Sequence, residues 1–212
     1  MNAVGVEGVW KFYGDYPALR NVELSAASGA CLALIGRNGA GKTTLLRTIA
    51  GFSRPGKGQI KIFGNSPRDT DTRRAMGFIG HGISVYDELS AMEWLERTGL
   101  ERVKHGLVRE FSRGMRQRLA VARAFLHGPR VLLLDEPFTA LDDRAIAVLQ
   151  RLLREALAEG KTIVMSTHQL REALELATHV ALLNRGQVAF HGPRTAEMVT
   201  DPGWVYARYG EG

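Results

Sequence analysis

The stretch Gly36-Arg37-Asn38-Gly39-Ala40-Gly41-Lys42-Thr43-Thr44 fits the spacing G-x-x-x-x-G-K-[ST] in full. Before it stands the apolar run Ala30-Cys31-Leu32-Ala33-Leu34-Ile35, long enough for a buried strand. After it, Leu45-Leu46-Arg47-Thr48-Ile49-Ala50 reads as a helix stopped by Gly51. A strand, a glycine-rich loop and a helix in that order suit one kind of ligand. Polyphosphate needs several N–H donors converging from a concave backbone, and glycines let that backbone come close without side chains in the way. The helix adds its free N-terminal N–H groups and the positive end of its dipole. In this reading the loop from Gly36 to Thr44 holds the phosphates and Lys42 neutralises the outer two. Thr43 offers its hydroxyl to a magnesium ion, and Thr44 donates to phosphate.

The bulk properties set limits around that loop. A length of 212 residues suits one domain, or one domain with a small insert. Composition is ordinary for a soluble globular chain, and no apolar stretch reaches the length of a membrane span. The first residues, Met1 to Glu7, have no basic segment leading into an apolar core, so no secretory signal is expected. The single cysteine, Cys31, lies in the strand before the loop and is read as a small buried apolar residue. One cysteine allows no internal disulfide. These features point to the cytosol. A net charge of +6 suits polyphosphate or an anionic membrane face. It also suits solvated helix surface. Neither a long basic run nor a nucleic-acid motif is present, so no nucleic-acid partner is expected.

Along the chain, strands are expected at Val6–Phe12, Val22–Ala26, Gln59–Phe63 and Met76–Ile79. Helices are expected at Ala91–Arg97 and Gly114–Leu126, the latter with Leu119, Ala122, Phe125 and Leu126 on one face. Val131-Leu132-Leu133-Leu134-Asp135 is apolar until its last residue, the pattern of a parallel strand covered on both faces. A helix over Asp143–Glu159 closed by Gly160, a strand over Thr162–Ser166, a helix over Leu170–Ala177 and a strand over Val180–Leu183 follow. Gln187–Phe190 is expected to pair with that last strand. Alternating buried strands and helices define an α/β fold, with an antiparallel β portion on the N-terminal side.

The run Leu134-Asp135-Glu136-Pro137 places two carboxylates at the carboxyl end of a buried parallel strand, where such sheets open onto their ligand crevice. Asp135 is expected to hold magnesium, and Glu136 to orient or deprotonate an attacking water. With these residues the chain resembles the nucleotide-binding subunit of ABC transporters over nearly its whole length. Phe111-Ser112-Arg113-Gly114-Met115-Arg116-Gln117-Arg118 stands where that family has LSGGQ followed by a basic segment. Thr139-Ala140-Leu141-Asp142 looks like its D-loop, Ser166-Thr167-His168 like its switch histidine, and Tyr13 like the aromatic that stacks on adenine. The resemblance implies a P-loop NTPase of ABC type that hydrolyses ATP with Mg2+. Lys42, Glu136 and His168 serve catalysis, with His168 hydrogen-bonding the γ-phosphate from the far side of Glu136. It further implies a head-to-tail pair of cassettes, taken as a homodimer. There Ser112 and the helix start after Gly114 reach the γ-phosphate held by the partner, and Asp142 lies at the interface. Membrane-spanning subunits and a peripheral place on the cytoplasmic face of the membrane belong to the same expectation.

Three departures stand out. Arg113 replaces the first glycine of the signature and Met115 its glutamine. His81 occupies the place of the Q-loop glutamine, near the metal that Thr43 and Asp135 serve. Between His81 and Ser112 the chain is roughly one helix short, so residues 1–212 are read as a single domain with a shortened helical subdomain at about 82–127. The Asp135–Asp142 run and Ile79-Gly80-His81 look most like haem-exporter ATPase subunits of cytochrome c maturation. Exporters of drugs or lipids share much of this. A soluble non-transport ABC ATPase and a small-molecule kinase stay open as other readings.

Overall fold

The computed structural model describes residues 1–80, 100, 110–139 and 141–210. Two sheets organise these residues. The larger has six strands in the order β5-β6-β7-β3-β8-β9. These are β3 (Cys31–Ile35), β5 (Met76–Ile79), β6 (Val131–Asp135), β7 (Thr162–Thr167), β8 (His179–Asn184) and β9 (Gln187–Pro193). All neighbours run parallel except β9, which returns antiparallel along β8. The smaller sheet is antiparallel in the order β2-β1-β4, from β1 (Asn2–Tyr13), β2 (Tyr16–Ala27) and β4 (Lys57–Ile62). The antiparallel portion therefore lies where the sequence places it. Both N-terminal strands are longer than expected, because the hairpin between them turns on only Gly14 and Asp15.

Period-two alternation divides the central strands between two cores. Cys31, Ala33 and Ile35 of β3, Leu132 and Leu134 of β6, and Ile163 and Met165 of β7 face one side. There they pack against residues of the helices that follow β5 in the chain. Leu32 and Leu34 of β3, Val131 and Leu133 of β6, and Val164 of β7 face the other side. They meet Leu45, Leu46 and Ile49 of α1 (Lys42–Ile49) and the inner face of the small sheet. Every residue of β3, β6 and β7 is buried, as their continuous apolar runs require of a sheet covered on both faces. Each fully buried Leu or Ile contributes about 2 kcal/mol through the apolar area it removes from water. Cys31 is one of these core residues, and burial pushes its thiol up to about 12, so it serves as packing.

The remaining helices are α2 (Thr70–Arg74), α3 (Arg113–Phe125), α4 (Asp143–Ala158), α5 (Leu170–Leu174), α6 (Ala196–Thr200) and α7 (Trp204–Tyr209). Three of these, α2, α6 and α7, are only five or six residues long and are not among the helices expected from the sequence. Two expectations need correction. Leu126 is not on the buried face of α3: it lies past the helix end and is exposed, whereas Leu119 and Phe125 are buried. The helix from Leu170 stops at Leu174 instead of Ala177, because the Leu176 N–H turns back to the Ala173 carbonyl and tightens the last turn. The expected helix at Ala91–Arg97, His81 and most of the expected helical subdomain lie outside the described residues.

Candidate functional site

The carboxyl ends of β3, β7 and β6 lie side by side, with Ile35 beside Thr167 and Asp135 beside Ser166. The loops leaving these three ends therefore meet, and they carry the residues singled out in the sequence. Gly36 opens the first loop at φ 155, and a Cβ there would stand 2.5 Å from the Leu183 carbonyl oxygen. Gly41 caps the start of α1 at φ 105. Neither position tolerates a side chain, so both glycines are required by the backbone path itself.

Lys42 is buried and curls back over its own loop. Its Nζ donates to the Gly36 carbonyl at 2.7 Å and to the Arg37 carbonyl at 3.3 Å, and lies 3.9 Å from Glu136 Oε1. Burial pulls its ammonium below the usual lysine range, while Glu136 and Asp135 push it back up. Gly36 and Arg37 thus serve the site through their carbonyls. The wall of the cleft is made by Asn38, Gly39, Ala40, Gly41, Lys42, Thr43 and Thr44.

Asp135 is buried at the end of β6. Its Oδ1 accepts from the Thr43 hydroxyl at 3.0 Å and from the Ser166 hydroxyl at 2.5 Å. Glu136 follows in a left-handed conformation, φ 53, which is uncommon for a residue with a side chain. Its N–H donates to the Ser166 carbonyl at 2.9 Å. Its Oε2 accepts from the His168 N–H at 3.2 Å and lies 2.8 Å from His168 Nδ1, a bond that the ring nitrogen donates to an ionised carboxylate. His168 therefore reaches the site through Glu136.

Above the loop the cleft measures about 320 Å³ and is walled by Tyr13, Tyr16 and Ala18 as well as Glu136. Sequence reasoning misses Tyr16. Its signal is the two-residue turn, which sets Tyr16 directly opposite Tyr13 in the hairpin. In sequence Ser166 reads only as part of a strand end, although its hydroxyl links Asp135 to the Glu136 backbone. Ser112 and Gly114 are not among the residues lining the cleft. They sit at the start of α3, where the Ser112 hydroxyl accepts from the Met115 N–H at 3.2 Å. Asp142 caps α4, accepting from the Ala145 N–H at 2.8 Å. Ala140 lies outside the described residues.

The donor set fits magnesium. Thr43 and Asp135 offer hard oxygens 3.0 Å apart, and Mg2+ is commonly held by one or two protein oxygens together with substrate phosphates and water. When bound, magnesium would neutralise charge developing on the phosphates.

A glycine loop between β3 and α1, with paired carboxylates on a nearby strand end, defines a P-loop nucleotide-binding α/β protein. A family model described as ABC transporter matches residues 19–139, and the chain belongs to that family. It is 35% identical over 204 residues to a taurine import ATP-binding protein of Yersinia pestis, covering 86% of this chain and 80% of that one. It is 38% identical over 232 residues to a sulfate/thiosulfate import ATP-binding protein of Brucella melitensis, covering 96% of this chain and 62% of that one. A solved dimeric ATP-binding cassette in a post-hydrolysis state, bound to ADP and Pi, superposes with a TM-score of 0.83 at 26% identity, over 91% of this chain and 99% of that one. The protein is an ATPase of the ABC type, and ATP and Mg2+ are its substrate and cofactor.

Proposed function

We propose that this chain is the ATP-hydrolysing subunit of a transport system, pairing with a second cassette and driving separate membrane-spanning subunits from the cytoplasmic face. Residues 1–212 then form one cassette domain with the helical subdomain inserted at about 82–127. The observation that carries the reading is Glu136, which lines the phosphate cleft from a left-handed backbone and is tied to both Lys42 and His168. Lys42 attracts the outer phosphates and Glu136 takes a proton from the attacking water. His168 holds the Glu136 carboxylate in line, and Tyr13 with Tyr16 covers the base. Ser112 and Gly114 serve the phosphates of the partner cassette.

Two cargo readings have support. The relatives named for taurine and sulfate import support uptake of a small sulfur oxoanion. The Asp135–Asp142 run and Ile79-Gly80-His81 support haem export for cytochrome c biogenesis. Vesicles carrying the membrane subunits that co-purify with the chain distinguish them by the direction of transport and by taurine, sulfate or haem as cargo.

The chemistry is tested on the purified chain. Glu136→Gln is expected to lose nearly all ATP hydrolysis while retaining ATP. Lys42→Ala is expected to weaken ATP binding by about 10- to 100-fold, the worth of a charge-assisted contact. Wild-type turnover in Glu136→Gln would remove that residue from the reaction.

A further inference from the structure

Lys11 stands in β1 just ahead of Tyr13, one of the two tyrosines that wall the cleft. Its ammonium lies over the Tyr13 ring, 5.5 Å from the ring centroid. The same ammonium donates to the Arg54 carbonyl at 2.9 Å, in the loop between α1 and β4. That loop is itself fastened to β1, because the Gly56 N–H donates to the Trp10 carbonyl at 2.7 Å. A backbone anchor thus fixes where the charge sits. Tyr13 is 56% exposed at the end of its strand, so few packing contacts hold its ring. Lys11 is not among the residues lining the cleft, whereas Tyr13 and Tyr16 are.

We propose that Lys11 is a positioning residue for nucleotide binding: its ammonium occupies the face of the Tyr13 ring turned from the cleft and holds the ring ready for the base on the other face. The proposal rests on the reading of Tyr13 as a ring that covers the base. An ammonium is drawn to the negative face of an aromatic ring, and the Arg54 carbonyl keeps this one in place. A ring already held when the nucleotide arrives gives up less rotamer freedom on binding, which raises affinity. The base takes no part in phosphoryl transfer, so stacking on it contributes equally before and during the reaction. The effect therefore falls on Kd and KM and leaves kcat. A charge that attracted the phosphates directly would need no base in the ligand, and this separates the two actions of Lys11.

The experiment measures binding of ATP and of inorganic tripolyphosphate, each with Mg2+, with steady-state hydrolysis and thermal unfolding, on the full chain. Lys11→Met keeps an unbranched stem and removes the charge. It is expected to raise the ATP Kd and KM about two- to fivefold, the range an exposed cation–aromatic contact spans. In the same variant kcat stays within about twofold, and Tm and tripolyphosphate binding are unchanged. Lys11→Arg is expected to recover most of the ATP affinity, since a guanidinium also rests on aromatic faces. Lys57→Met removes an ammonium 6.0 Å from the centroid of Trp10, a ring outside the cleft lining, and is expected to leave the ATP Kd as it is. A wild-type ATP Kd in Lys11→Met overturns the proposal. So does an equal loss of tripolyphosphate binding or an equal loss in Lys57→Met, either of which marks attraction by charge alone. A fall of affinity, kcat and Tm in step marks a structural role and overturns it too. Tyr13→Leu tests the underlying reading separately: a wild-type Kd there removes Tyr13 from the base site, whereas a raised Kd there beside a wild-type Kd in Lys11→Met removes only the role of Lys11.

Discussion

Glu136 sits in a backbone region that costs a residue with a Cβ about 1 kcal/mol or more, and the surrounding structure compensates for it locally. Ser166 is central to that compensation. Its carbonyl accepts the Glu136 N–H, and its hydroxyl donates to Asp135 while lying 3.3 Å from the same N–H. Ser166→Ala removes a buried hydroxyl between two carboxylate-bearing residues and leaves the Asp135 carboxylate short of one donor. Urea unfolding of Ser166→Ala is expected to show a loss of about 1–3 kcal/mol, with a fall in kcat as Glu136 loses its alignment. A variant as stable and active as the parent would show that the backbone carbonyl alone holds Glu136.

Elements carry these residues to one place because of how each begins and ends. The β6 strand ends in Asp135, and α4 is capped by Asp142, whose carboxylate accepts the Ala145 N–H at 2.8 Å. Only a short loop therefore separates the strand end from a capped helix that buries Leu149, Leu152 and Leu153. That loop is held at both ends, which limits how far Glu136 can stray. Asp142→Ala removes the cap and is expected to cost about 1 kcal/mol in chemical denaturation, with Asp142→Asn recovering most of it. Equal stability of the Ala variant would deny the cap its energetic role.

For the whole molecule, the two sheets must keep their relation, since Tyr13 and Tyr16 come from one and the phosphate loop from the other. His191 of β9 joins them: its Nε2 lies 3.0 Å from the Ser25 carbonyl of β2. Partial desolvation of this exposed residue's ring lowers its pKa, the Ser25 carbonyl pushes it up, and His179 nearby lowers it further. A histidine whose pKa is lowered by folding binds its proton more readily in the unfolded chain. Its contribution is therefore complete above the usual value of about 6.5 and is lost as pH falls through and below it. Thermal unfolding is expected to show a lower Tm at about pH 5.5 than at about pH 7.5, and His191→Gln is expected to reduce that difference. An unchanged pH dependence in His191→Gln would assign the effect to other groups.

Local order along the chain was enough to determine the phosphate loop, the strand before it, the helix after it and the carboxylates of β6, because each depends on neighbours within a few residues. The same holds for the alternation of buried strands and helices, whose apolar periods record which faces are covered. What only the tertiary structure decided depends on contacts across long separations. Tyr16 joins the cleft through a strand pairing, and Ser166 joins Asp135 to Glu136 because β7 lies beside β6. Such pairings leave no periodic trace in the residues that make them, since the chain must first close long loops before the contacts exist.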